Sequence, residues 1–139
     1  MLAEVGDIWT PIVGGAVGMI LLAGLSVVIV NGYRRFNVAA DRSRLRAFAG
    51  ATISEGPAPG LVAVVFHTYS GVVLFTHQVE HRFGAAPNDA LLVLARLHRF
   101  NLAWGFFAYG GLFIPLLSYV NYELQRKKIE KLAAQLKEP

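Results

Sequence analysis

The chain has 139 residues, of which 55% are hydrophobic and only 16% are charged, and its formal net charge at pH 7 is +4. Soluble domains average about 45–50% apolar and about 25% charged residues, so this composition is shifted towards that of membrane proteins. The hydrophobic content excludes intrinsic disorder. The absence of cysteine excludes disulfide frameworks, thiolate metal sites and thiol chemistry. The length favours a single domain.

Asp, Glu, Lys and Arg are missing from three long stretches, Ile8–Tyr33, Gly56–Val79 and Phe100–Tyr122. A helix needs about 20 apolar residues to cross the hydrocarbon core of a bilayer, and each stretch meets that length. The sequence therefore predicts an all-α integral membrane protein with three transmembrane helices, at about 9–30, 61–82 and 100–122. A basic loop over 31–59, an outer loop over 83–99 and a helical tail over 123–139 complete this arrangement.

Two other interpretations of the apolar stretches are disfavoured. A soluble chain of this size has too little polar surface to cover three such helices. A cleaved signal peptide begins with a basic segment and has an apolar core of about 7–15 residues. This N-terminus instead carries Glu4 and Asp7, and its apolar run is far longer. Pro11 suits the first turn of a helix, where a missing N–H costs nothing.

Basic residues are distributed unevenly among the connections. Five lie in the loop 31–59 and five in the tail, whereas the N-terminus has none and the remaining ones are Arg82, Arg96 and Arg99. The positive-inside rule then places the N-terminus outside and both basic segments in the cytoplasm. We therefore expect a multi-pass protein of the bacterial inner (cytoplasmic) membrane. The positive charge indicates orientation and contact with the lipid bilayer, and not binding of nucleic acid.

Glycines in the first and third stretches predict close packing between helices. Gly14 and Gly18 form a GxxxG pair, and the third stretch contains Gly105, Gly110 and Gly111. Small residues let helix backbones approach each other where lipid gives no hydrophobic drive. Packing within this chain and packing against a partner subunit explain the pattern equally well.

His67 is the histidine that the predicted helices place inside the membrane. With Leu61 at the inner end of the second helix, it lies about 9 Å into the bilayer. An ionisable residue at that depth suggests a function. The alternatives are an axial ligand to haem b or to (bacterio)chlorophyll, a quinone contact, and a hydrogen bond to a helix or lipid without any cofactor. A bis-histidine haem would need its second ligand from another subunit.

Two short stretches around His67 resemble known families. Ala63, four residues before it, gives a small-xxx-His spacing similar to that of bacterial light-harvesting polypeptides, where the small residue makes room for the pigment ring. The run HTYSGVVLF resembles the HRxSGxxL stretch of the cytochrome b anchor subunit of succinate dehydrogenase. That resemblance implies a quinone contact at Ser70, although Thr68 stands where the family has arginine.

His77 and His81 are four residues apart, so on a helix they share one face, as two metal ligands would. They suggest a metal site near the outer surface. The alternative is a set of interfacial polar residues that bind headgroups. The run HQVEHR is similar to the last histidine box of membrane fatty-acid desaturases, but four histidines are too few to build the di-iron site of that family.

The sequence contains no glycine-rich phosphate loop, no pair of carboxylates within a stretch and no local Ser-His-Asp motif. It therefore predicts a small non-catalytic accessory or scaffolding subunit of a larger membrane complex, with other integral membrane subunits as partners. An energy-transducing complex, respiratory or photosynthetic, is favoured by His67. One alternative is a cofactor-binding anchor subunit that uses His67. Another is a homo-oligomeric channel or scaffold packed through the glycine faces.

Overall fold

The structure, a computed structural model, describes residues 9–56, 58–72, 75–108 and 111–136. The chain divides into two units, residues 1–36 and residues 37–139. The elements follow the order α1 (Trp9–Arg46), β1 (Ile53–Ser54), β2 (Val62–Val72), β3 (Phe75–Ala85), α2 (Pro87–Trp104), a 3-10 helix (Gly105–Phe107) and α3 (Phe113–Gln135). The described part is thus a mixture of helices and an antiparallel sheet, so the predicted all-α fold is wrong.

The described part of the first unit, residues 9–36, is the apolar part of α1. Its most apolar window has a mean hydropathy of 2.5, and none of the residues in that window is buried. A helix rises about 1.5 Å per residue, so about 20 residues cross a hydrocarbon core. Within the described ranges, only this helix is long and apolar enough to cross a membrane. The predicted multi-pass topology is therefore wrong.

The second unit contains a three-stranded antiparallel sheet in the order β1-β3-β2. Strands β2 and β3 form a hairpin whose pairing runs from Val62 opposite Ala85 to Val72 opposite Phe75. These strands occupy most of the segment 61–82 that was predicted to be the second transmembrane helix. The outer loop predicted over 83–99 is likewise the end of β3 and most of α2.

Strand β2 forms because its apolar residues repeat every second position. Val62, Val64 and Phe66 are buried, while Ala63 and Val65 between them are exposed. Period-two burial and β-branched residues are typical of a strand with one face on a core. Counting charges alone hides this period, because the exposed face of β2 is uncharged as well.

Helix α2 covers the inner face of the sheet and supplies much of the core. Val93, Leu94 and Leu97 are fully buried against the inward side chains of the hairpin. Pro87 lies in the first turn of the helix, where its missing N–H costs no hydrogen bond. Burial of each such aliphatic side chain contributes about 1.5–3 kcal/mol, so this layer stabilises the second unit.

The predicted third transmembrane helix over 100–122 is not one helix. Helix α2 ends at Trp104, the 3-10 helix follows at Gly105–Phe107, and α3 begins at Phe113. The predicted tail continues α3 as far as Gln135, and Ile129 is fully buried in the core cluster. The apolar stripe of this tail therefore packs on the chain's own core.

Candidate functional site

His67 lies on the outer face of the sheet, opposite Glu80 on β3. Its Nε2 is 3.3 Å from Oε2 of Glu80, which also contacts Arg82. The Arg82 hydrogen bond is the main cause that lowers the pKa of the Glu80 carboxyl, and His67 adds to this effect. Exposed pairs of this kind contribute little to stability, because solvent screens their charges. His67 is therefore part of a surface polar cluster.

The strand changes the geometry of the predicted cofactor site. Ala63 shares the face of His67 but lies about 13 Å away along β2, because a strand rises about 3.3 Å per residue. Ser70 is on the opposite, buried face. The one-turn spacing that favoured a pigment or haem ligand is thus absent. Binding of haem b, chlorophyll or quinone remains a prediction without support from this geometry.

The predicted metal ligands His77 and His81 are separated in the same way, by about 13 Å along β3. His77 is exposed, whereas His81 points inward, with its Nε2 2.9 Å from Oγ1 of Thr68 and its ring 5.3 Å from that of Phe48. Burial lowers the pKa of His81 to about 4, and the charge of Arg44 adds to this. Across the described ranges, no cluster of three His, Asp or Glu side chains is able to hold a metal ion.

Asn101 is a buried polar residue whose role the sequence did not reveal. Its Oδ1 accepts a hydrogen bond from the N–H of Tyr69, and its Nδ2 donates to the carbonyl of His67, each at 2.8 Å. Nδ2 also donates to Oγ of Ser118 at 3.0 Å. One amide side chain thus joins α2 to both the free edge of β2 and α3.

A serine and a histidine meet beside this amide. Oγ of Ser118 is 2.9 Å from Nδ1 of His98, and the His98 ring stacks on Tyr122 with a centroid distance of 4.8 Å. Burial lowers the pKa of His98, and the charge of Glu123 partly opposes this. Ser118 is only 3% exposed, so a substrate has no access to its hydroxyl. The pair therefore links α2 to α3.

Large apolar side chains are exposed on the second unit between α2 and the middle of α3. We call the following six residues, each between 53% and 79% exposed, the apolar surface: Phe106, Phe107, Leu112, Phe113, Leu116 and Leu117. Val120 and Leu124 extend it along α3 at helical spacing. Exposed large apolar side chains gathered in one region of a domain are typical of surfaces that contact a membrane or another protein.

The opposite side of α3 holds the helix to its own unit. Ile114, Ser118 and Ile129 are buried there, and Tyr122 packs against the core cluster. The first half of α3 is thus apolar on both sides, one side buried and the other exposed. The exposed stripe therefore lies on the side of α3 that does not contribute to the core of its own unit.

The predicted packing glycines have different surroundings. A Cβ added at Gly14 or Gly18 on α1 would meet nothing within 4 Å. At Gly105 it would lie 2.6 Å from Cγ2 of Ile114, and at Gly111 it would collide with the carbonyl oxygen of Phe106. Gly105 and Gly111 therefore allow close approach inside the second unit. Gly110 lies outside the described residues.

The chain matches no protein-family model, and neither the curated proteins nor the solved structures include a match to it.

Proposed function

We propose that the chain is a membrane-anchored accessory subunit. In this proposal α1 crosses the bilayer once, and the second unit lies on the cytoplasmic side with its apolar surface inserted into the membrane interface. The observation that carries the proposal is the exposure of apolar side chains in two separate parts of the chain, the apolar window of α1 and the apolar surface.

The apolar surface is large enough for a stable interfacial contact. Burial of one large apolar side chain is worth about 1.5–3 kcal/mol, so six such side chains, each more than half exposed, offer on the order of 5 kcal/mol. The charged half of α3 supports the same orientation, since Lys127, Lys128 and Lys131 are exposed just beyond the stripe. Basic residues near an anionic leaflet add about 1 kcal/mol each.

The charges around α1 support a cytoplasmic second unit. Glu4 and Asp7 precede the apolar stretch, and five arginines follow it between residues 34 and 46. An excess of arginine close to the end of a membrane-crossing helix retains that end in the cytoplasm. A single span then leaves the whole second unit on that side.

The accessory role is supported by the use of polar side chains inside the second unit. Four residues are engaged in contacts that hold helices and strands together: Asn101, Ser118, His98 and His81.

The type of complex to which the subunit belongs has no support from this structure. His67 favoured an energy-transducing complex because it was placed inside the membrane, and on the sheet surface it no longer supports that choice.

The absence of cysteine allows a direct test by photo-crosslinking. A benzophenone maleimide is attached to a single cysteine introduced by Leu117→Cys, Val17→Cys or Lys128→Cys, and the full chain is irradiated in native membranes. Lys128 is the matched control, because it is exposed on the same face of α3, three turns after Leu117. Adducts are identified by mass spectrometry.

We expect lipid acyl-chain adducts from position 117, none from position 128, and an adduct with a different membrane protein from position 17. Equal acyl-chain labelling at 117 and 128, or none at 117, would overturn insertion of the apolar surface. An adduct at position 17 with a second copy of the chain alone would favour the homo-oligomeric scaffold and overturn the accessory role.

A further inference from the structure

A cavity in the second unit is lined by three arginines. It has a volume of about 230 Å³ and lies between the last turns of α1 and helix α2. Arg46, Arg96 and Arg99 line it together with Ser43, and Phe100 and Ala103 form an apolar wall. None of these residues belongs to the apolar surface.

The three arginines line the cavity from two helices, α1 and α2. Arg96 and Arg99 are three residues apart on α2, and Ser43 and Arg46 are three apart on α1, so each pair shares a helix face. Nη1 of Arg96 donates to the carbonyl oxygen of Ala49 at 2.6 Å, and more weakly to that of Ala47 at 3.4 Å. These bonds hold Arg96 in position and leave its other N–H groups for a further acceptor.

Among the described residues, no Asp or Glu lines the cavity. Five of the six described carboxylates have other partners: Asp41 contacts Arg44, Glu80 contacts Arg82, Glu123 and Glu130 contact Arg126, and Asp89 accepts from the N–H of Thr52. Three like charges around one cavity repel each other, and an anion placed among them relieves that repulsion.

We propose that this arginine pocket binds a phosphate group. Arginine binds phosphate through two parallel N–H···O bonds, and such charge-assisted bonds are about twice as strong as neutral ones. Sites for whole small molecules measure about 300–1,000 Å³, so a cavity of about 230 Å³ suits a headgroup-sized anion. The wall of Phe100 and Ala103 suits the apolar part of a phosphate ester.

The ligand chemistry has two sources, the headgroup of an anionic lipid and a soluble phosphate compound. Calorimetric titration of the purified full chain in a non-ionic detergent separates them, with dioctanoyl phosphatidate in one arm and inorganic phosphate in the other. Dioctanoyl phosphatidylcholine controls for the acyl chains. Saturable binding of phosphatidate without competition by inorganic phosphate identifies the lipid, and competition at similar concentrations identifies a soluble phosphate; either result supports the pocket.

The decisive variants are Arg99→Gln and Arg46→Gln, because Arg96 also holds the fold through Ala49. Each is expected to weaken binding of the phosphate ligand by about tenfold or more, and Arg99→Lys by less, since lysine keeps the charge but loses the bidentate geometry. Arg42→Gln removes the same charge from an exposed position of α1 outside the pocket, and we expect a change of about twofold or less. Equal weakening by Arg42→Gln and Arg99→Gln, or no saturable binding in either arm, would overturn the proposal.

Discussion

Two stretches of this chain are equally free of charge and fold differently. The stretch Ile8–Tyr33 supplies, from Trp9 onward, most of the continuous helix α1, and no residue of its apolar window is buried. Phe100–Tyr122 breaks at Trp104 into a 3-10 helix and a new α-helix, and part of it is buried in a core. The absence of charge therefore shows only that a stretch is apolar enough to enter lipid. It does not show whether the stretch crosses a membrane or packs in the core of the protein.

The neutral polar residues explain the difference. Oγ of Ser26 in the first stretch donates to the carbonyl of Leu22, four residues earlier in the same helix, so it needs no tertiary partner. Asn101 in the other stretch satisfies its amide through His67 and Tyr69 on a strand and through Ser118 on α3. A helix that satisfies its own polar groups suits lipid, whereas one that needs external partners folds against them.

The largest effect is expected from Asn101→Ala. It leaves the Tyr69 N–H and the His67 carbonyl without their partners, and each buried unpaired group costs about 1–3 kcal/mol, so the unfolding free energy should fall by about 3 kcal/mol. Urea denaturation of the full chain in micelles, followed by Trp104 fluorescence in a Trp9→Phe background, measures it. Ser26→Ala should change that value by less than about 0.5 kcal/mol. Similar losses for both variants would contradict the comparison.

A smaller effect is expected from Gly105→Ala. The new Cβ would lie 2.6 Å from Cγ2 of Ile114, and overpacking of this kind costs about 1–3 kcal/mol, so we expect a loss of about 2 kcal/mol in the same assay. Gly18→Ala is the matched change in the first stretch, where nothing lies within 4 Å. It should leave the second unit unaffected. Full stability of Gly105→Ala would show that the close contact is not required.

The smallest effect is the pH dependence that His81 confers on the second unit. Its folded pKa of about 4 lies below the ordinary value of 6.5, so the unfolded state binds the proton more tightly. Stability is therefore complete above pH 6.5 and is lost as the pH falls towards 4. Each pKa unit corresponds to about 1.4 kcal/mol, and with partial exposure of the ring discounted we expect a loss of about 1 kcal/mol between pH 7 and 5.

His81→Gln should remove this dependence, whereas His77→Gln, an exposed position on the same strand, should keep it. Denaturation midpoints of the two variants at pH 7 and pH 5 provide the measurement. An unchanged pH response in His81→Gln would assign the titration to another group.

The sequence was informative where hydrophobicity alone decides the structure, as it does for α1. The charge-free run after Ile8 predicted the helix that is able to cross a membrane. Strand β2 was missed because its uncharged residues were counted without regard to the alternation of Val62, Val64 and Phe66. The break after Trp104 was missed because glycines there were assigned to helix packing. An uncharged composition is compatible with both a transmembrane helix and a buried strand. Only the spacing of the buried residues along the sequence distinguishes them.

The sites were less predictable than the fold. His67 was paired with Ala63, and His77 with His81, by helical spacing, and a strand separates the members of each pair. The arginine pocket was missed for a different reason, because its residues are far apart in the sequence. Arg46 lies fifty residues before Arg96 in the sequence, so no local motif joins them, and both were counted only as charges that indicate membrane orientation. Asn101 gave no signal either, since a single asparagine acquires its role only from the strand edge beside it.

The free edge of β2 has a consequence for how the protein behaves at high concentration. Asn101 occupies the Tyr69 N–H and the His67 carbonyl, and Nε2 of Gln125 donates to the carbonyl of Val65 at 3.2 Å. An open strand edge is a template for pairing with another chain and hence for aggregation. Two helix side chains here fill the places that a fourth strand would take. The sheet therefore stops growing at β2 without needing that strand, which protects the chain from edge-to-edge pairing with other copies.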